Sequence, residues 1–403
     1  MIEKLRKFSL ATWIFIGLVA GIFCGLIFIS NPDFATKFIK PFGDLYLNLI
    51  RFIVAPIVLF SIVGGVISLR DVRKIGSIGS KSIVYYMVTT VFAIVLGLFV
   101  ATLFKGFFTV LDTSQLSFNV AESPSIIETI IKMFPSNAVA PFVESNMLQI
   151  IVIALFVGFG IIFAGEKGKF TADMVESLTE VFLKIMMFII KLSPIGVFCL
   201  ITPVVAVNGP SVLGSLSLVL IAAYLAYILH LVIVYFSLVR YLGKMSPIKF
   251  LKGMMPAMMF AFSSASSIGT LPLNIECCEK LGANKDVVRF TLPLGATINM
   301  DGTAIYQSVA AIFIASCFGI DLSLQQMGTI VVSTTLASIG TAGVPGSSMI
   351  MLAMVLESVG LPIAGIALVA GIDRLFDMGR TVLNITGDAT CGIIVSKLEE
   401  KKR

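Results

Sequence analysis

Six long apolar segments fill most of the chain up to residue 243, at about 10–30, 42–69, 82–107, 147–165, 174–206 and 211–243. Each has about the 20 residues that a helix needs to cross the hydrocarbon layer of a bilayer. In lipid a backbone must satisfy its own polar groups, so segments of this length and character are expected to be helices. A soluble surface is out of reach, because only 13% of the 403 residues are charged, about half the usual share. The expected fold is an all-α polytopic membrane protein, one unit over 1–403, with no stretch left for a soluble catalytic domain.

Charge sets the topology. Arg70, Arg73, Lys74 and Lys81 follow the second segment, Lys167 and Lys169 the fourth, and Arg240, Lys244, Lys249 and Lys252 the sixth. Loops near 112–124 and 207–211 have no Lys or Arg. Positive loops stay in the cytoplasm, so the N-terminus is expected there and six spans return the chain to the cytoplasm by 240. The basic tail Lys401-Lys402-Arg403 is expected on the same side. The start MIEKLRKFSL is like a signal n-region, but no small-residue cleavage site follows, and it reads as a retained first helix. The net charge of +6 thus serves topology and implies no nucleic acid partner. Six scattered Cys and one His, His230, offer no zinc or haem constellation. His230 is read as a hydrogen-bonded packing residue rather than a proton relay. With no nucleophile–base pair and no ATP-binding loop, an enzyme is a poor reading, and any coupling must come from an ion gradient.

The second half departs from simple spans. The apolar stretch 253–275 is interrupted by Ser263-Ser264-Ala265-Ser266-Ser267-Ile268-Gly269-Thr270-Leu271-Pro272, and Lys280, Lys285 and Arg289 follow. Both its ends are cytoplasmic, so it is expected to be a re-entrant hairpin, whose non-helical tip must be buried in protein or line a cavity. The span 290–316 is broken at Asn299-Met300-Asp301-Gly302-Thr303. A second interrupted segment, 326–356, carries Ala337-Ser338-Ile339-Gly340-Thr341-Ala342-Gly343-Val344-Pro345-Gly346 between loops without Lys or Arg, and opens outward. The last span, 361–396, carries Asn384-Ile385-Thr386-Gly387-Asp388 and reads as a second broken helix. Ser-Ile-Gly-Thr recurs at 267–270 and 338–341. Hairpin plus broken helix, twice and in opposite orientations, is the signature of an inverted repeat with its site near the midplane.

The chemistry concentrates on the last span. Asp373, Asp377, Arg380, Asn384 and Asp388 are spaced 4, 3, 4 and 4 and form one stripe on a helix. A charge at mid-bilayer costs about 2.5–3.5 kcal/mol even on a lenient scale. The groups must therefore meet one another, water or a ligand, and an ion-pair network that only locks helices together is the structural alternative. The planar fork of Arg380 suits a carboxylate, Asp377 suits an ammonium, and Asn384 can donate to a second carboxylate. Together they would hold an acidic amino acid, with the Ser-rich tips adding hydroxyls and free N–H groups. Asp301 and Asp388, with Asn299 and broken-helix carbonyls, make hard-oxygen sets suited to Na⁺. Helix capping is the alternative for both acids.

Three stretches resemble the dicarboxylate/amino acid:cation symporter family, glutamate transporters and their archaeal aspartate-transporting relatives: 291–303, 337–346 and 377–388, with the likeness running from about 10 to 396. The resemblance implies eight transmembrane helices, two re-entrant helical hairpins and a homotrimer. It implies an elevator, in which a transport part (80–112 and 211–396) slides against a scaffold and trimerisation part (8–69 and 120–206). The implied substrate set is Ser267, Thr303, Val344, Asp377, Arg380, Thr381 and Asn384. One implied sodium site uses the carbonyls of Gly295, Asn299 and Asn384 with the Asp388 carboxylate. A second uses backbone around Thr297, Ser338, Ile339 and Thr341. A third uses Tyr86, Thr89, Thr90, Asn299 and Asp301. No organic cofactor is implied, and the expected place is the inner (plasma) membrane.

The chain departs from the family at four positions. Ala265 stands where archaeal relatives carry Arg in the first tip, and Met378 where animal relatives carry Arg. Arg374, one turn before Met378, is placed to supply that charge. Ser348 replaces a Gly of the outer hairpin. Gln307 replaces a proton-carrying Glu, and Gln cannot titrate. The other classes open to this sequence are a C4-dicarboxylate or neutral amino acid symporter of the same fold, and an anion-conducting channel. Arg380, if left unpaired, argues against a neutral substrate, and Asp377 against a plain dicarboxylate.

Overall fold

A computed structural model describes residues 10–75, 77–110, 131, 134–144, 146–209, 211–338 and 347–400, and no strand occurs among them. The first helices are α1 (Leu10–Ile27), α2 (Lys40–Ile75), α3 (Ser77–Phe104), α4 (Met147–Ala164), α5 (Lys169–Lys191), α6 (Ser193–Asn208) and α7 (Ser211–His230). A π turn, Leu231–Tyr235, continues α7 into a last helical stretch, Phe236–Tyr241. Then come α8 (Pro247–Ser264), α9 (Ser267–Lys280), α10 (Lys285–Ile298), α11 (Asp301–Cys317), α12 (Leu324–Ser338), α13 (Ser347–Ser358) and α14 (Asp373–Glu400).

Two packing groups emerge. In one, α1 lies on α6, and α2 on α4, α5 and α6. Gly17, Gly21 and Gly25 make the α1–α6 approach possible: a Cβ there would collide with Pro194, Ile201 and Thr202 in turn. Small residues at this spacing let helix backbones approach closely where lipid gives no hydrophobic drive. In the other group α14 is surrounded by α8, α9, α10 and α11, while α3 packs on α7, α11 and α12. The groups touch through α2 with α3 and α13, and through α6 with the short helix Ile366–Ala370.

Exposed apolar residues complete the picture of a membrane protein. Val84, Val88, Phe92, Val95, Phe99 and Leu103 form an exposed stripe along α3, a patch that water would not tolerate and lipid does. Among the described residues, four stretches are long and apolar enough to span a bilayer: Thr12–Ser30, Ser77–Phe107, Gln149–Ile189 and Gly214–Tyr241.

Two of the interrupted segments show the expected break, and two other expectations need correction. In 247–280, α8 turns into α9 through Ala265, held left-handed at φ 50°, and Ser266, whose hydroxyl accepts from Gly269 N. The break between α10 and α11 falls at Asn299 and Met300. The expected single segment 174–206 is two helices, because Ser193-Pro194 starts a new one after Leu192. The expected break at 384–388 does not exist: α14 is continuous, and the chain interrupts instead between Ala370 and Asp373. Thr386 and Thr390 donate back to the carbonyls of Val382 and Thr386, so these polar side chains are satisfied inside the helix. The outer tip, 339–346, lies outside the described residues.

Candidate substrate and cation site

The stripe on α14 is one buried face: Asp373, Asp377, Arg380, Asn384 and Asp388 are each at most 5% exposed. Arg380 sits between two carboxylates. Its Nε donates to Asp377 Oδ1 at 3.0 Å, and its Nη1 donates to Asp373 Oδ1, also at 3.0 Å. Its guanidinium lies 4.8 Å from the centre of the Tyr306 ring, a favourable cation–π distance. Arg380 is therefore paired without any ligand, and the argument that a neutral substrate would strand its charge does not hold.

Asn384 links this cluster to the broken helix. Its Oδ1 accepts from Gly302 N at 2.7 Å, using an amide freed at the start of α11. Its Nδ2 has only Met300 Sδ and Thr303 Oγ1, both at 3.4 Å. Those are poor partners, so the amide is available to a better acceptor. Gly302 is needed here, since any Cβ would run into the Arg380 backbone.

The two further acids are held differently. Asn299 Nδ2 donates to Asp388 Oδ1 at 2.9 Å and to Asn384 O at 3.0 Å. Asp388 has no cationic partner among the described residues. Asn299 Oδ1 is buried with no hydrogen-bond partner among them. Asp301 accepts from Thr90 Oγ1 and from Tyr235 Oη, each at 2.7 Å, and His230 Nε2 lies 3.3 Å away. Neither acid caps a helix: Asp388 is inside α14, and Asp301 points its carboxylate at α3 and at the helix that continues α7. An orphaned amide oxygen beside a buried carboxylate without a counter-charge fits a small hard cation.

The expected residues do not all converge. Ser267, Thr303 and Thr381 are buried, and Thr303 meets Asn384. The Ser267 helix is tied to the stripe through its hairpin: Arg374 Nη2 donates to the carbonyls of Ser263 and Ser264, each at 3.3 Å, while Nη1 is 3.6 Å from Asp377 Oδ2. Arg374 thus pairs with Asp377 and not with Asp373. Tyr86 donates to Thr291 O at 2.9 Å, and Thr89 to Tyr86 O at 3.3 Å. A Cβ on Gly295 would collide with Asp388 and Tyr86, which puts these three together. Thr297 donates to Leu294 O and Ser338 to Thr335 O, so both hydroxyls turn to their own helices. Val344, Ile339 and Thr341 lie outside the described residues. Sequence reasoning missed the pairing of Arg380 with Asp373, the Tyr306 ring, and Tyr235 on Asp301.

A buried charged face beside a broken helix, in an all-helical chain with lipid-type surface, defines a membrane transporter. The chain belongs to the sodium:dicarboxylate symporter family, whose sequence profile matches residues 10–398. It is 37% identical to the proton/sodium-glutamate symport protein of Bacillus subtilis (strain 168), over 98% of this chain and 94% of that protein. It is 35% identical to the proton/glutamate-aspartate symporter of Escherichia coli (strain K12), over 98% and 94%. The C4-dicarboxylate transport protein of Bacillus subtilis (strain 168) is 33% identical, over 99% and 95%.

Proposed function

We propose that this chain is a sodium-coupled symporter of acidic amino acids, aspartate or glutamate, in the inner (plasma) membrane. The observation that carries the reading is the arrangement of Asp377, Arg380 and Asn384 on one buried face. An acidic amino acid brings the matching groups: ammonium to Asp377, side-chain carboxylate to Arg380, α-carboxylate to the under-used Asn384 amide. Thr303, which meets Asn384, and Ser267, Thr381 and Val344, which the family resemblance adds, complete the proposed substrate set. Asp373 neutralises Arg380 when no substrate is bound, which avoids a stranded buried charge. Asp377 favours an amine-bearing substrate over a C4-dicarboxylate, although a relative is named for the latter.

Coupling follows from shared residues. Sodium at Gly295, Asn299, Asn384 and Asp388 competes with the Asn299 amide for the Asn384 carbonyl and the Asp388 carboxylate. Sodium at Tyr86, Thr89, Thr90, Asn299 and Asp301 uses the orphaned Asn299 oxygen. The third set is the backbone around Thr297, Ser338, Ile339 and Thr341. Because Asn384 belongs to both substrate and cation sets, filling one orders the other, and the coupling is reciprocal.

The two packing groups support the division into a scaffold (8–69 and 120–206) and a moving transport part (80–112 and 211–396). The proposed architecture is eight spans and two hairpins in a homotrimer working as an elevator. Uptake of radiolabelled aspartate, glutamate and succinate into proteoliposomes, with Na⁺, K⁺ and pH set separately on each side, tests the function. Sodium-driven aspartate or glutamate uptake is expected. Uptake of succinate without either amino acid would overturn it.

A further inference from the structure

At the end of α14 remote from the charged stripe lies a cavity of about 320 Å³, within the size range of small-ligand sites. Three chain segments wall it. The turn into α8 gives Lys244 and Ser246, the first turn of α8 gives Lys249, the turn between α9 and α10 gives Gly282, and the last turns of α14 give Lys397 and Glu400. None of these belongs to the substrate or cation sets.

The charge around the cavity is unbalanced. Three lysines face one carboxylate, and that carboxylate is already engaged, Lys397 Nζ to Glu400 Oε2 at 2.6 Å. Lys244 and Lys249 have no ion pair among the described residues. The start of α8 adds to the same sign: its first turn holds no acid, and Ser246 makes no side-chain cap. A helix start carries a positive partial charge and favours anions, yet here Lys249 occupies it. A bound anion would relieve both the lysines and the uncapped amides.

We infer that this cavity binds a phosphate group, carried by an anionic lipid headgroup or by a soluble phosphate. In the orientation expected from the basic loops it lies at the cytoplasmic leaflet, where anionic lipids concentrate and basic pockets between helices hold their headgroups. The phosphate would join the base of the first hairpin to the end of α14, both in the transport part. The binding chemistry itself depends on neither the substrate nor the orientation.

The test uses the full-length chain purified in neutral detergent at constant ionic strength, with thermal unfolding as readout. It is titrated in separate arms with short-chain phosphatidylglycerol, phosphatidylcholine of the same chain length, and inorganic phosphate. The pocket variant is Lys244→Gln, Lys249→Gln and Lys397→Gln together. The control, Lys167→Gln, Lys169→Gln and Lys184→Gln, removes the same charge elsewhere. Phosphatidylglycerol should raise the unfolding midpoint of the wild type and phosphatidylcholine should not. At about fivefold per unpaired lysine, the pocket variant should need about 25-fold more phosphatidylglycerol, and the control less than about twofold more. Should the triple variant not purify, Lys249→Gln alone should show the fivefold loss. Saturation by inorganic phosphate alone would support the site and assign a soluble source, whereas a response only to phosphatidylglycerol would assign the lipid. Equal response to the two lipids, or equal weakening of pocket variant and control, would overturn the proposal.

Discussion

Arg374 offers the sharpest perturbation. It reaches from α14 to the carbonyls of Ser263 and Ser264 at the end of α8, and its other nitrogen stands 3.6 Å from Asp377. It therefore bolts the first hairpin tip to the helix that bears the candidate substrate site, and it shares the carboxylate proposed for the substrate ammonium. Its side chain is 21% exposed, so the Coulomb attraction is only partly screened. At that separation and an effective dielectric of about 20, the gross attraction is about 4–5 kcal/mol. The two 3.3 Å hydrogen bonds are long, and desolvation offsets much of the ion pair. A net hold of about 2–3 kcal/mol is consistent with charged hydrogen bonds in general. That corresponds to about a 30- to 150-fold change in the ratio of closed to open tip.

The assay follows from the neighbouring residue. Ala265 is 2% exposed in the closed tip, so a cysteine there reacts with a polar thiol reagent only when the tip opens. In a background with the six native cysteines replaced, Arg374→Ala should speed labelling of Ala265→Cys about 30- to 150-fold. Arg374→Lys should fall between, because one ammonium cannot hold two carbonyls and a carboxylate in that geometry. In uptake, Arg374→Ala should be slow, and Ala265→Arg in the same chain should restore part of the rate. Labelling at the wild-type rate in Arg374→Ala would refute the bolt and leave Arg374 as a surface ion pair.

Three other substitutions probe the site. Arg380→Cys leaves Asp373 without a cation and Asp377 with Arg374 alone, 3.6 Å away, a loss of about 3–5 kcal/mol for a broken buried pair; it should abolish aspartate and glutamate uptake and admit serine or alanine, and unchanged aspartate affinity in competition uptake would reject the assignment. Asp388→Asn should raise the sodium concentration for half-maximal uptake at least about tenfold, while substrate affinity at saturating sodium changes little; parallel shifts at every sodium concentration would remove the cation role. Gly302→Ala forces a methyl onto the Arg380 backbone and should cost about 1–3 kcal/mol, seen as a lower unfolding midpoint; an unchanged midpoint would mean that α11 shifts freely.

The sequence made some of this legible for physical reasons. Charges inside an apolar span are too costly to be idle, so the stripe from Asp373 to Asp388 stands out in the sequence itself. The break at Asn299-Met300 was legible because Asn, Asp and Gly cluster there. The same cue misled at 384–388, where Asn384, Thr386 and Asp388 find partners without unwinding α14. A residue list cannot tell a polar group that breaks a helix from one that bonds to its own preceding turn. The pairing of Arg380 with Asp373 was within reach, since seven residues are two turns and place both on the same face. The start of α6 was within reach too, through Pro194.

What the sequence could not reveal is that His230 and Tyr235 meet Asp301, and the reason is the π turn at Leu231–Tyr235. In a regular α-helix, His230 and Tyr235 are five residues and about 140° apart, on different faces. The wider π turn closes most of that angle, so both side chains reach the same carboxylate. Their rings meet edge to face at 4.8 Å. Tyr235 then supplies a 2.7 Å hydrogen bond that no spacing rule would assign. Losing it would leave Asp301, fully buried, with one acceptor less well satisfied, a cost of about 1–3 kcal/mol. Tyr227, on the same helix, is the matched control, because its hydroxyl is buried without a hydrogen-bond partner among the described residues. Tyr235→Phe should lower the unfolding midpoint in sodium-free detergent, whereas Tyr227→Phe should leave it unchanged or raise it slightly. Equal behaviour of the two would mean that the Tyr235 hydroxyl does not carry Asp301, and that the π turn serves packing alone.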